Sequence, residues 1–118
     1  MAVDAALRQQ VEADILAREG VSARDMMGTQ SYVVRGRMFA FWVADGLVAR
    51  LSDRVRQDFI DERVGVEFQG PQGRGMGDFT RLPLASKDDV ENVLRGVTSA
   101  YEFVVGTAKA RKKGKSKR

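Results

Sequence analysis

The sequence predicts an α+β protein with two layers: a five-stranded antiparallel sheet with helices packed mainly on one face, in the order α-β-β-β-α-β-β-α. Two observations predict this class. The stretch Met26–Leu51 consists of short apolar runs separated by Arg35-Gly36 and Asp45-Gly46, dipeptides that suit tight hairpin turns. On either side of it, apolar residues recur at helical spacing. A meander flanked by amphipathic helices is typical of the α+β class.

The composition removes much of the usual catalytic chemistry. The 118 residues include no cysteine and no histidine, which excludes Ser-His-Asp and Cys-His machinery and zinc–thiolate sites. We therefore expect a non-enzymatic protein without catalytic, cofactor-binding or metal-binding residues. No apolar run approaches the roughly 20 residues that span a bilayer, and the N-terminus lacks a secretory h-region. A cytoplasmic protein is expected.

The positive charge is concentrated at the C-terminal end. Seven of the 20 Lys and Arg residues lie in Lys109–Arg118, which contains no acid, so residues 1–108 carry 13 basic against 16 acidic side chains. The sequence therefore predicts one mildly acidic domain over 1–108 and a basic, disordered tail over 109–118.

The first predicted element is a helix from Val3 to about Arg18, ended by Gly20. The segment Val21–Thr29 is predicted as a loop or a short extended segment that leads into the sheet. The apolar residues of the helix recur every four positions, at Val3, Leu7, Val11 and Ile15.

Three strands follow, at about 31–35, 37–44 and 47–51. Asp45-Gly46 is the stronger turn signal because both residues tolerate the positive φ of a type I′ turn. At Arg35-Gly36 a three-residue loop with a bulge is the alternative. With two-residue loops, residue 44 opposes 47, 43 opposes 48, 34 opposes 37 and 32 opposes 39.

This register divides the meander into two faces, both of them largely apolar. Sheets in small two-layer proteins usually have one polar face, so the second face is predicted to be a contact surface; a terminal helix that covers it is the alternative. The first predicted face is Ser31, Val33, Met38, Ala40, Trp42, Ala44, Leu47, Ala49 and Leu51. The second predicted face is Tyr32, Val34, Arg37, Phe39, Phe41, Val43, Val48 and Arg50.

The remaining elements have their own signals. A short helix to about Glu62 is capped by Ser52 or Asp53, and Val64–Gln69 alternates as a half-buried strand. A glycine-rich loop precedes a second strand that Pro83 ends. Ser86 then opens a closing helix, which keeps its apolar spacing to about Gly106, and Ser86 and Asp89 are placed as in a capping box. The glycine-rich loop is Gly70–Asp78 and the second strand is Phe79–Leu82.

The order and spacing of these motifs resemble the TfoX N-terminal-like family, named for a bacterial regulator of natural competence. The resemblance covers roughly Val21–Phe103. It implies a fold shared with secretion chaperones, with helices on one face of an antiparallel sheet, no catalytic residues, and a place near the control of transcription. Thr29 departs from the glycine of the family pattern. The matching segments are Met26-Met27-Gly28-Thr29, Gly36-Arg37-Met38-Phe39-Ala40, Asp45-Gly46-Leu47-Val48-Ala49-Arg50-Leu51 and Leu82-Pro83.

The second predicted face supplies the main candidate site. Aromatic residues often anchor protein interfaces, so this face is expected to mediate homodimerisation or to bind a partner protein. Trp42 falls on the first face, where core packing is favoured over a ligand pocket. The predicted interface residues are Tyr32, Phe39, Phe41, Val43 and Val48.

Three further features are weaker candidates. The basic tail could contact nucleic acid through phosphates; its cations are Lys109, Arg111, Lys112, Lys113, Lys115, Lys117 and Arg118. A phosphate-binding role for the glycines around Arg74 is disfavoured because that loop precedes a strand, not a helix. The carboxylates near Asp58 and Asp88 are interpreted as solvated helix faces and caps, not as metal ligands. No small-molecule substrate and no membrane contact are inferred.

Overall fold

The computed structural model describes residues 4–26, 28–69 and 75–116; at Met26, 67–69, 75–78 and 107–116 it describes the backbone alone. Three helices and a short 3-10 turn accompany a six-stranded sheet in the order β1-β2-β3-β4-β6-β5, with every neighbouring pair antiparallel. The elements are α1 (Ala5–Leu16), β1 (Ser22–Met26), β2 (Thr29–Val34), β3 (Arg37–Val43), β4 (Gly46–Arg50), α2 (Asp53–Asp61), β5 (Val66–Gln69), β6 (Gly75–Pro83), the 3-10 turn (Lys87–Asp89) and α3 (Val90–Ser116).

The predicted α+β class and the predicted order of elements are confirmed. The additional strand is β1, in the segment predicted as a loop or short extended lead. It pairs along its whole length with β2, from Ser22 opposite Val33 to Met26 opposite Thr29. Gly28, with φ 82°, supplies the left-handed conformation that this connection needs. The strand was missed because Ser-Ala-Arg-Asp lacks the β-branched and aromatic residues that mark strands.

The first predicted hairpin turn is confirmed and the second is displaced. Arg35 and Gly36 both have positive φ, 53° and 77°, and Val34 opposes Arg37. At the other turn Val43 opposes Gly46, so the loop is Ala44-Asp45 and the predicted pairs 44–47 and 43–48 are wrong. Gly46 is required by the neighbouring strand β6 instead, because a Cβ there would clash with the Leu82 carbonyl oxygen.

A β-bulge in β3 changes the predicted faces. Tyr32 opposes Ala40 and Val33 opposes Met38, so Phe39 is an extra residue on β3 and the predicted pair 32–39 is wrong. Side chains alternate across a strand, so one extra residue moves its neighbours to the side of the sheet opposite to the predicted one. In β3 this applies from the bulge to the turn, and in β2 it applies to the whole strand. Phe39 consequently joins Ala40 on the same side of the sheet.

All three helices pack on one side of the sheet, which we call the helix side. The core there contains Tyr32, Val34 and Phe39 from the second predicted face, together with Trp42, Leu47 and Leu51 from the first. Helix residues complete this core, among them Val11, Ile15, Phe59, Val93, Val97, Ala100 and Val104.

Local capping follows the sequence closely. The Asp4 carboxylate accepts hydrogen bonds from the backbone N–H groups of Ala6 and Leu7 at the start of α1. Ser52, not Asp53, caps α2. At the 3-10 turn before α3, the Asp89 carboxylate accepts from the backbone N–H of Ser86 at 3.1 Å, as the predicted capping box requires.

Helix α3 extends further than predicted. It continues past Gly106 to Ser116, so the backbone is helical through most of the segment predicted to be disordered. Alanine, lysine and arginine all have high helix propensity, and cations near a helix C-terminus interact favourably with the helix dipole. The predicted end at Gly106 is therefore corrected, since one glycine does not stop a helix that is followed by good helix formers.

Candidate interaction surface

Two of the five predicted interface residues lie beneath the helices of their own chain. Tyr32 and Phe39 are fully buried. The Phe39 ring packs edge-on against Tyr101 of α3, with ring centroids 6.0 Å apart. Both side chains therefore belong to the core, and their assignment to a contact surface is corrected. The cause is the bulge at Phe39, which turns both residues toward the helix side.

Three predicted residues do lie on the opposite side of the sheet, which we call the open face. Phe41 opposes Val48 across β3 and β4. Phe41 and Val43 are half-buried, whereas Val48 is fully buried in the central strand. Phe41 and Val43 are thus partly accessible to a partner, whereas Val48 is not exposed.

The open face also contains residues that the sequence did not predict there. Phe79 of β6 packs against Phe41 with ring centroids 5.6 Å apart. Val33 and Met38 are half-buried on this face, and Val66 at its margin is 42% exposed. Val33 and Met38 were missed because of the bulge. Phe79 could have been found from β6, where it alternates with the buried residues Thr80 and Leu82.

The arginines near the centre of the open face are engaged within the chain. Arg81 Nη1 lies 2.6 Å from Asp45 Oδ2, in an ion pair between β6 and the β3–β4 turn. The Arg50 guanidinium lies 4.8 Å from the centre of the Phe79 ring, a distance at which the cation is attracted to the aromatic face. The two cations near the centre of this face therefore already have favourable contacts within the chain.

A shallow recess continues the open face toward the edge strand β1. Its volume is about 330 Å³, and Val33 and Met38 form its apolar floor. Arg24 and Asp25 stand at its rim beside Gly36. The recess adds apolar area and a mixed-charge border, as is common at the edge of protein interfaces.

On the helix side, a cleft of about 350 Å³ opens between α1 and the ends of β2 and β3. Behind it, Trp42 Nε1 donates to the Tyr32 hydroxyl at 2.7 Å, and that hydroxyl donates to Glu12 Oε2 at 2.5 Å. Burial, then the hydrogen bond to Glu12, raises the pKa of Tyr32 well above 10. The hydroxyl is engaged on both sides and holds its proton at neutral pH, so it is unsuited to acid–base catalysis.

Trp42 therefore has the core role that the sequence favoured. Its side chain is 4% exposed, and the Arg8 guanidinium covers the ring at 5.0 Å from the centroid. Within the described residues, no group of three or more acidic side chains is placed to hold a metal ion.

The remaining candidates lie partly outside the described residues. Gly70 to Arg74 of the glycine-rich segment do so, whereas Gly75 and Gly77 belong to β6. Of the seven cations at the C-terminal end, Lys109 to Lys115 are on the helical backbone of α3, and Lys117 and Arg118 are outside the description.

Comparison with known proteins gives no assignment: no protein-family model matches the chain, and no curated protein matches it. The resemblance to the TfoX N-terminal-like family therefore stays a prediction. Across the described part of the chain, none of the helices combines the length and hydrophobicity needed to cross a bilayer.

Proposed function

We propose that this protein is a non-enzymatic interaction domain that associates with a second copy of itself through the open face. The main observation behind the proposal is that the helices and the hydrophobic core lie on one side of the sheet. Every helix in the described residues packs on the helix side, while Val33, Met38, Phe41 and Val43 are half-buried on the other side. Extended apolar patches on soluble proteins commonly mark interfaces.

The size of the open face suits a dimer. Six strands at about 4.8 Å spacing, with about 3.4 Å per residue, give a flat area on the order of 500 Å² before side-chain relief is counted. Each partner in a standard interface buries about 800 Å². Sheet-on-sheet packing at about 10 Å separation would therefore bury most of this apolar surface.

The charges of the open face favour an identical partner over an oppositely charged one. Arg81 is paired with Asp45, and Arg50 lies against Phe79. Burial of a charge without a partner is costly, but two copies of this face can meet without creating that situation at the centre. Arg24 remains at the exposed rim, where solvent screens repulsion. A regulatory or adaptor role, as the TfoX resemblance implies, is part of the same proposal.

Molecular mass measured by light scattering across a concentration series tests the proposal. We expect the mass to rise toward twice that of the protomer for the unmodified protein, and to stay at one protomer for Phe41→Glu and for Val66→Glu. Leu16→Glu is a matched control, because Leu16 on α1 is 43% exposed and Val66 is 42% exposed. That control should associate like the unmodified protein.

Two results would contradict the proposal. A mass of one protomer for the unmodified protein at every concentration excludes the dimer, even if another protein is captured on the open face. Equal association of Val66→Glu, Phe41→Glu and Leu16→Glu would place any dimer contact elsewhere. Circular dichroism of each variant establishes that a loss of association is not a loss of fold.

A further inference from the structure

The last part of α3 extends away from the packed body of the protein. Residues Val97, Ala100 and Val104 are fully buried along this helix. Gly106 is exposed, and a Cβ at that position would meet no other atom within 4 Å. The helical backbone nevertheless continues to Ser116, which at about 1.5 Å per residue adds roughly 15 Å of helix beyond the body. The longest dimension of the molecule, 49 Å against 28 and 27 Å, agrees with a projecting element.

The C-terminal end of the sequence is strongly cationic. We call residues 109–118 the basic segment; it contains seven of the 20 Lys and Arg residues, no acid, and no apolar residue larger than alanine. Residues 1–108, by contrast, carry more acidic than basic side chains. The positive charge is thus concentrated in the sequence at the C-terminal end, after the mildly acidic residues 1–108.

The basic segment lacks large apolar and aromatic residues, and this narrows the class of partner that it can bind. Helices that lie on membranes need an apolar face to insert between lipids, and the basic segment has none. Proteins that bind single-stranded nucleic acid stack bases on aromatic side chains, and the segment has no aromatic residue. A duplex requires neither feature, since its phosphates present one negative charge per about 1.7 Å of helix axis.

The part of the structure next to the basic segment contains side chains of both charges. Along α3, Gly96 lies beside Leu82 and Tyr101 lies beside Phe39, so the helix runs toward the β2–β3 turn. That turn has the exposed Arg35. Two exposed acids, Glu19 and Glu102, are also at this end. The two acids outnumber this cation, so binding depends on the basic segment itself.

We propose that the basic segment binds the phosphodiester backbone of double-stranded nucleic acid without sequence preference. An α-helix fits the major groove of B-form DNA, and each lysine or arginine that neutralises a phosphate releases a bound counterion. The interaction is independent of the open face. Self-association and duplex binding can therefore succeed or fail separately.

The test uses the full-length chain and a short duplex DNA of random sequence, with binding measured by fluorescence anisotropy at several salt concentrations. We expect the affinity to fall steeply between about 50 mM and about 200 mM salt. Substitution of Lys109, Lys112 and Lys113 by Gln should weaken binding and reduce the slope of log affinity against log salt by about 2 to 3, because each phosphate contact contributes about 0.9. Glutamine preserves helix propensity.

A matched variant removes three exposed cations from the body, with Gln at Arg54, Arg63 and Lys87. It changes the net charge equally and should retain the affinity and slope of the unmodified protein. Equal losses of affinity in the two variants would mean that net charge alone determines binding, and would overturn the proposal. No duplex binding at the lower salt, or tighter binding to phosphatidylserine vesicles or polyglutamate than to the duplex, would overturn it as well.

Discussion

At the scale of single residues, the most constrained polar group is the Tyr32 hydroxyl. It links α1 to the sheet by accepting from Trp42 and donating to Glu12. Loss of one partner in such a buried chain leaves the others unsatisfied, at a cost of about 1–3 kcal/mol per group. This chain of hydrogen bonds connects α1 to β2 and β3 through Glu12, Tyr32 and Trp42.

The raised pKa of Tyr32 predicts that stability falls at alkaline pH. The folded state keeps the tyrosine proton above pH 10, where the unfolded chain releases it, so the unfolded state binds fewer protons and the free energy of unfolding decreases as the pH rises. The expected slope is about 1.4 kcal/mol per pH unit for one proton. The stabilisation is fully present below about pH 10. Urea denaturation at several pH values above and below 10 measures this slope.

Tyr32→Phe is the control for that slope. The variant should be less stable at neutral pH, because Trp42 loses its acceptor and Glu12 loses its donor, but its stability should decline less steeply above pH 10. Tyr101, the second of the two tyrosines, remains in both proteins. Identical alkaline slopes for the two proteins would show that Tyr32 does not hold its proton in the folded state.

At the scale of elements, the bulge in β3 decides which aromatic residues belong to the core. Phe39 and Phe41 are two positions apart, so a regular strand would place both on one side. The extra residue sends Phe39 to the helix side, where it is fully buried, and leaves Phe41 half-buried on the open face. One local irregularity therefore separates a residue for stability from a residue for contact.

Alanine substitution at these two positions should give different stability losses. Phe39→Ala removes a fully buried ring and should lower the free energy of unfolding by about 3–5 kcal/mol. Phe41→Ala should cost about 1–2 kcal/mol, since less of its surface is buried. Urea denaturation at low protein concentration, where association adds little, measures both.

Phe39→Leu and Phe41→Leu provide the same comparison if Phe39→Ala does not fold. Equal losses at the two positions would mean that both rings share one environment, as the regular register predicted. A larger loss at Phe41 would place that ring, not Phe39, in the core.

The same bulge illustrates which features of the fold could not be predicted from the sequence. The helices, the caps near Ser52 and Ser86 and the turn at Arg35-Gly36 follow from local residue preferences and were predicted, whereas the Asp4 cap of α1 was not. Met38-Phe39 has no residue that signals a bulge, and the Phe39 ring packs there against Tyr101, a contact with a distant element that local sequence does not show. Gly46 misled for a related reason: it resembles a turn glycine, but it is needed for the close approach of the Leu82 carbonyl. Only the neighbouring strand reveals that need.

At the scale of the whole molecule, stability and charge are located in different parts. Among the described side chains of α3, the last packed ones are Val104 and Val105, whereas the run of cations begins at Lys109. The open face lies on the side of the sheet away from the helices. The proposed self-association and the proposed duplex binding thus use surfaces separate from the folded core, and we expect that each can be altered with little effect on the others.

Removal of residues 109–118 tests this separation directly. The folded body should retain its free energy of unfolding to within about 1 kcal/mol, because only favourable dipole interactions of the cations with α3 are lost. The net charge should change from +4 to −3, since the seven cations removed are accompanied by no acid. Thermal denaturation and the electrophoretic mobility of the native protein measure the two effects.

Removal of residues 101–118 is the contrasting truncation: it also deletes Tyr101 and the buried Val104, and it should cost several kcal/mol as their contacts with the sheet are lost. A large loss of stability in the shorter truncation would mean that the basic segment packs on the body, and the description of α3 as a projecting helix would then be wrong.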